Sequence, residues 1–211
     1  LLNEELGLDD FSEFLEDETT MAKIENLMSV RDSFNNEKDW HEIAKSLAIF
    51  SAFTEGVNLF SSFAILLSFK MRNKLKGVGQ IVEWSIRDES MHSEAGCWLF
   101  RTLIKENPEL DTPDLKAAVT EAALLSLQLE LDFIEKVYEL GDLEGCSKED
   151  LICFIKHRVN TKLGDLGYDP VVNGIDVNAL KRMKWFDSLS AGKQHTDFFA
   201  NRVTNYSKGA Q

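Results

Sequence analysis

The chain has 211 residues, 44% of them apolar, and a formal net charge of −13. That length fits one domain, and that apolar fraction builds a sizeable core, which excludes a disordered chain. The acidic balance excludes nucleic acid and anionic membrane surfaces as partners, since both need basic patches. Lys70, Arg72, Lys74 and Lys76 do cluster, but at an expected turn, and they read as solvated surface. Cys97, Cys146 and Cys153 show no CxxC spacing and cannot all pair, so reduced thiols in a reducing, cytoplasmic compartment are expected. The amino end carries no secretory signal or lipidation motif. With three prolines and no sustained strand-like alternation, the chain reads as all-α.

In chain order, Leu1 to Leu8 read as a helix end closed near Gly7, and an acidic segment follows from Asp9 to Asp17. Thr19 to Ser33 carries Met21, Ile24, Leu27, Met28 and Val30 at helical spacing, with a break at Asn35 and Asn36. One long helix is expected from about Asp39 to Asn73, then a turn marked by Gly77 and Gly79. The next helix spans about Gly79 to Lys105 and stops at Asn107-Pro108. Thr112-Pro113 opens a helix whose apolar stripe runs to Leu140, with its acids mostly off the stripe and Gly141 as its stop. Ser147 and Asp150 resemble a capping box for a helix to about Leu163. The remainder, 164–211, reads as an irregular extension with a short helix at Val177 to Met183 and an anchor at Trp185-Phe186. Long helices with short connections make an antiparallel bundle, here one domain over 1–211.

Arg87-Asp88-Glu89-Ser90-Met91-His92 carries the chemistry. Glu89 and His92 are three apart, so both project from one helix face, and mixed oxygen and nitrogen donors suit iron or manganese. Taken alone, such a pair is commonplace on helix surfaces. Glu55 adds weight, because it is the one charged residue between Ser46 and Phe69. A lone carboxylate among apolar residues needs a cation or stays protonated. The run is long enough for a membrane span, but its mid-span acid and polar residues, and the amphipathic helices around it, favour a core helix. Counted from the expected turn at about 1.5 Å per residue, Glu55 and Glu89 sit at levels that differ by roughly a turn or two. Convergence on one ion is compatible with the spacing without being demanded by it. Cys153 with His157 reads as packing, His41 and His195 as solvated, and Trp40, Trp84, Trp98 and Trp185 as core or helix anchors. No P-loop, GxSxG or dinucleotide fingerprint is present.

Phe53-Thr54-Glu55-Gly56 lies ahead of Arg87-Asp88-Glu89-Ser90-Met91-His92, and Trp185-Phe186, Asp197-Phe198-Phe199 and Arg202 to Ser207 follow. These words together resemble the small, radical-generating (beta) subunit of class I ribonucleotide reductase over nearly the whole chain. The resemblance implies a ferritin-like helical bundle with two iron ions, manganese being an alternative. It also implies radical delivery to a large subunit that makes deoxyribonucleotides from ribonucleotides. On it, Glu55, Glu89 and His92 would be metal ligands, Asp88 would orient a metal-bound histidine and join the radical-transfer path, and Phe63 would line the wall that shields the radical. Leu59 and Ser85 would stand near it, Ser85 being more polar than the family's usual bulky residue.

The family's other three ligands, an Asp and a Glu-x-x-His, come from helices ahead of the one bearing Glu55. Residues 1–52 hold no Glu-x-x-His, and Tyr138, Tyr168 and Tyr206 do not occupy the place of the radical tyrosine. The chain therefore reads as the carboxyl-terminal portion of such a subunit, short of its docking tail. Its expected partners are the large subunit, a second copy and a complementary amino-terminal fragment. A metal-free helical interaction module and another ferritin-like diiron oxidase are the other readings these residues allow.

Overall fold

The computed structural model describes residues 17–33 and 39–190. The expectations for Leu1 to Leu8, Asn35 and Asn36, His195, Tyr206 and the words at 197–207 lie outside them. The described residues are helical, without strands: α1 (Glu18–Ser33), α2 (Trp40–Ile49), α3 (Phe60–Met71), α4 (Lys76–Glu106), α5 (Pro113–Glu139), α6 (Lys148–Leu166), α7 (Val177–Arg182) and α8 (Lys184–Ser190). A π-helical turn, Phe50–Thr54, follows α2. The helices pack as a bundle in which α3 lies on α4, α5 on α6, and α2 on both α4 and α5.

The capping signals act as the sequence indicates. Thr112 Oγ1 accepts the Leu115 N–H at 3.1 Å with Pro113 in the first turn, and beyond α5 the chain reverses at Gly141 with φ +126°. Ser147 Oγ accepts the Asp150 N–H at 3.2 Å, which is half of a capping box. The Asp150 carboxylate takes the Arg182 guanidinium through contacts of 2.6–3.0 Å, which ties α7 to the start of α6.

Several expectations are corrected. The single helix from Asp39 to Asn73 is instead α2, the π-helical turn, a turn over 55–59, and α3. The backbone widens there: the N–H groups of Glu55 and Asn58 reach five residues back, to the carbonyls of Phe50 and Phe53, at 3.0 and 2.9 Å. The turn after α3 is made by Asn73 and Leu75, both at positive φ, and Gly77 and Gly79 lie inside α4. Within the extension from 164, the expected short helix is present as α7 and the Trp185-Phe186 anchor holds, with Phe186 fully buried against Phe60 and Phe154; the addition is that residues 184–190 are helical too. Trp40 and Trp98 are exposed, not core. Lys70 pairs with Glu83 at 2.8 Å and Arg72 stacks on Phe69, so neither is merely solvated.

On α5, whose acids were expected mostly off the apolar stripe, one acid is an exception. Glu130 is completely buried, ion-paired with Lys23 of α1 and accepting from the Ser61 hydroxyl of α3. Ser126, Glu130 and Ile134 are four apart and all buried, so the acid lies on the core-facing line of its helix. Burial pushes its carboxyl above the usual range, while Lys23 and Ser61 oppose the shift.

Close approach of α4 to the π-helical turn depends on Gly96, where a Cβ would lie 2.0 Å from Ser51 Oγ and 2.5 Å from Ser51 Cβ. Gly96→Ala is expected to lower stability by about 1–3 kcal/mol, and Ser51→Gly in the same chain should recover part of it, both read from urea midpoints. Lys23→Met should destabilise by about 1–3 kcal/mol by leaving the Glu130 carboxylate buried without its cation. Adding Glu130→Leu to Lys23→Met should restore most of the loss.

Candidate metal centre

Two elements bring the site together. The turn after Thr54 presents Glu55, and α4 presents Glu89 and His92 from one face. One carboxylate oxygen from each acid and an imidazole nitrogen lie within 4.8 Å of one another, and among the described residues no other group of three or more such side chains does so. His92 Nδ1 stands 3.7 Å from Glu89 Oε2 and 3.9 Å from Glu55 Oε2. The difference in level counted along straight helices does not arise, because the chain from Phe50 to Leu59 is not a straight helix.

Asp88 lies on the other side of the ring, with Oδ1 3.8 Å from His92 Nε2, beyond hydrogen-bond distance. The imidazole thus has two acids facing Nδ1 and one facing Nε2. Glu55 is the most enclosed of the four, its side chain 15% exposed, against 24% for Glu89, 53% for His92 and 63% for Asp88.

The electrostatics follow from that crowding. Burial, then the hydrogen bond and charge of Glu89, then Asp88, push the Glu55 carboxyl up to about 8. Two acids in contact without a positive neighbour hold a proton between them. A divalent cation among the same oxygens would replace that proton, and two carboxylates with one imidazole are donors that iron(II) or manganese(II) accepts. The residues present therefore fit a metal ion.

Behind the site, Gly56 and Ser93 pack against Lys162, which is nearly fully buried and paired with Asp165 at 2.8 Å. Arg87, next in the motif, donates from Nε to the Ser190 carbonyl at 3.2 Å and ties α4 to α8. Phe63 packs edge-on to Phe60, with ring centroids 5.5 Å apart; Leu59 is exposed and Ser85 half-buried. Cys153 and His157 share no metal group, and all three thiols are free. Glu130 and Lys162 carry buried charge, and Arg158 half-buried charge, that the sequence pattern alone did not indicate. For Glu130 the signal was its place on the core stripe; for the other two, the apolar residues Phe154, Ile155, Val159 and Leu163 around them on α6.

Residues 3–179 match the family model described as ribonucleotide reductase, small chain. The chain belongs to the ribonucleotide reductase small-chain family. It is 35% identical over 178 residues to the "Probable ribonucleoside-diphosphate reductase small subunit 048L" of Invertebrate iridescent virus 3, across 84% of this chain and 46% of that protein. It is 24% identical over 213 residues to the ribonucleoside-diphosphate reductase subunit beta of Chlamydia pneumoniae, across 96% of this chain and 60% of that one. The chain thus spans about half the length of the curated relatives it matches. In fold it is similar to a ribonucleotide reductase R2 subunit from Clostridium botulinum, with a TM-score of 0.72 and 20% identity over 86% of this chain and 56% of that one. No helix of the described residues is long and apolar enough to cross a membrane.

The raised Glu55 carboxyl has a signed consequence for the metal-free chain. Between the ordinary value of 4.5 and about 8, the folded chain keeps a proton that the unfolded chain has released. Stability therefore falls as pH rises through that window and levels off above it. Glu55→Gln removes the effect, so its excess stability over the wild type should grow from about pH 5 to about pH 8. Urea midpoints in chelator-treated buffer measure it; parallel pH profiles for the two proteins would contradict the crowding described here.

Proposed function

We propose that this chain supplies Glu55, Glu89 and His92 as one face of the dinuclear metal centre of a class I ribonucleoside-diphosphate reductase small subunit. The observation that carries the reading is the convergence of these three side chains from two separate elements, in a chain of this family. Two iron ions are the expected complement, with manganese as the alternative. When bound, the metal supplies the redox chemistry from which the radical used by the large subunit is made.

The chain's own residues hold and orient. Glu55 and Glu89 would each offer one carboxylate oxygen to the ion, and the cation would take the place of the proton that Glu55 otherwise keeps. His92 offers Nδ1, the nitrogen that faces both acids. Asp88, on the Nε2 side, would accept the outer N–H and so hold the tautomer that leaves Nδ1 free to ligate. In this reading Asp88 also joins the path along which the radical leaves, and Phe63 lines the apolar wall near it. The partners are the large subunit, a second copy and a complementary polypeptide that brings the remaining ligands, in a cytoplasmic setting.

Metal analysis tests the proposal. The isolated chain should hold iron weakly and form no stable radical. Mixing it with a polypeptide that carries an Asp and a Glu-x-x-His on helices should give two tightly held ions per complex. Glu55→Gln or His92→Gln in the same mixture should abolish the second ion. Two tightly held ions on the isolated chain, or unchanged stoichiometry in both variants, would count against it.

A further inference from the structure

The turn that carries Glu55 is held from behind by a half-buried cation. Phe60 N–H, which a continuous helix would aim at the Gly56 carbonyl, donates to Val57 at 2.9 Å instead. The Gly56 carbonyl accepts from Arg158 Nε of α6. The same guanidinium lies over the Phe60 ring, with Cζ 3.1 Å from its centroid. Arg158 therefore grips both ends of the break, one residue after Glu55 and at the first residue of α3.

Gly56 is equally confined. A Cβ there would lie 2.2 Å from the Ala52 carbonyl and 2.8 Å from both Lys162 Cδ and Ser93 Oγ. Ser93 follows His92, so the packing that fixes Gly56 also involves the neighbour of a candidate ligand. No described carboxylate comes within 4.0 Å of the Arg158 guanidinium. Asp187 and Asp165 act on it only from farther away, and burial pushes its pKa down to about 9. The guanidinium is half-buried, and among the described residues its directed contacts are the Gly56 carbonyl and the Phe60 face.

We propose that Arg158 is a positioning residue for the metal centre: by holding the Gly56 carbonyl and the Phe60 ring, it fixes the turn that aims Glu55 at Glu89 and His92. The inference rests on the metal reading above. A helix break could otherwise close or swing by one residue, and either movement would carry the Glu55 carboxyl away from α4.

The test uses the full chain with Arg158→Met, which keeps an unbranched apolar stem but no donor, Arg158→Lys, which keeps a donor, and Lys181→Met. Lys181 lines the same 460 Å³ pocket between α6 and α8 as Arg158 and controls for lost charge. Amide hydrogen exchange is read on the metal-free chain at Glu55, Val57, Asn58 and Phe60. Arg158→Met should speed exchange at these amides by about tenfold or more while α5 is unchanged, with Arg158→Lys between it and the wild type. Lys181→Met should match the wild type. Co²⁺ titration, followed by its visible absorption, should show about tenfold weaker binding in Arg158→Met.

Wild-type exchange at the turn in Arg158→Met, or acceleration equal to that in α5, would overturn the proposal. So would a locally loosened turn with unchanged Co²⁺ affinity. A wild-type chain that bound no Co²⁺ would count against the metal reading, and the exchange comparison would still decide the role of Arg158 at the turn.

Discussion

Two carboxyl groups, Glu55 and Glu89, are pressed together at the edge of a helical bundle, and much of the surrounding structure serves to keep them there. Like charges in contact repel, and a half-buried position removes the water that would screen them. Without a cation the pair retains a proton, which is why Glu55 is pushed up to about 8. The fold opposes this repulsion with packing. Phe53 and Val57 flank Glu55 and are fully buried, so the acid cannot withdraw without pulling core residues into water.

The means of holding the pair is an interruption in a helix. Were the segment from Trp40 to Met71 one straight α-helix, the level of Glu55 along α4 would be set by rise per residue alone. The π-helical turn and the five residues after it change that level and the direction in which α3 leaves. Small side chains make the change possible where α4 comes closest, with Gly96 facing Ser51 and Gly56 facing Ser93. Backbone groups freed by the break are taken up locally or by α6, so the irregularity is built into the interior and is not a frayed end. Charged side chains then fasten the helices around it: Lys23 with the buried Glu130, and Arg158 on the Gly56 carbonyl.

The sequence made the helical bundle and the candidate metal ligands legible for different reasons. Apolar spacing and caps such as Thr112-Pro113 and Ser147 report local backbone preferences, and those elements lie close to where they are read. Glu89 and His92 share one helix, so their common face follows from spacing alone. Glu55 was legible as a charge among apolar residues, yet its distance from Glu89 was not, because that distance depends on a π-helical turn with no distinctive residue pattern. Phe50 to Thr54 reads like any helix interior. Buried partners such as Lys23 for Glu130 lie 107 residues apart, and pairing over that separation is a property of the fold. The exposed Trp40 and Trp98 show the reverse error, an expectation of burial drawn from residue type where the helix faces outward.

The most direct test of the account is anomalous diffraction from crystals of this chain soaked in Mn²⁺. The account predicts a manganese peak bounded by the carboxylates of Glu55 and Glu89 and by Nδ1 of His92, with Asp88 beyond coordination distance on the Nε2 side. A peak elsewhere on the chain, or no peak between these three residues at saturating Mn²⁺, would contradict it.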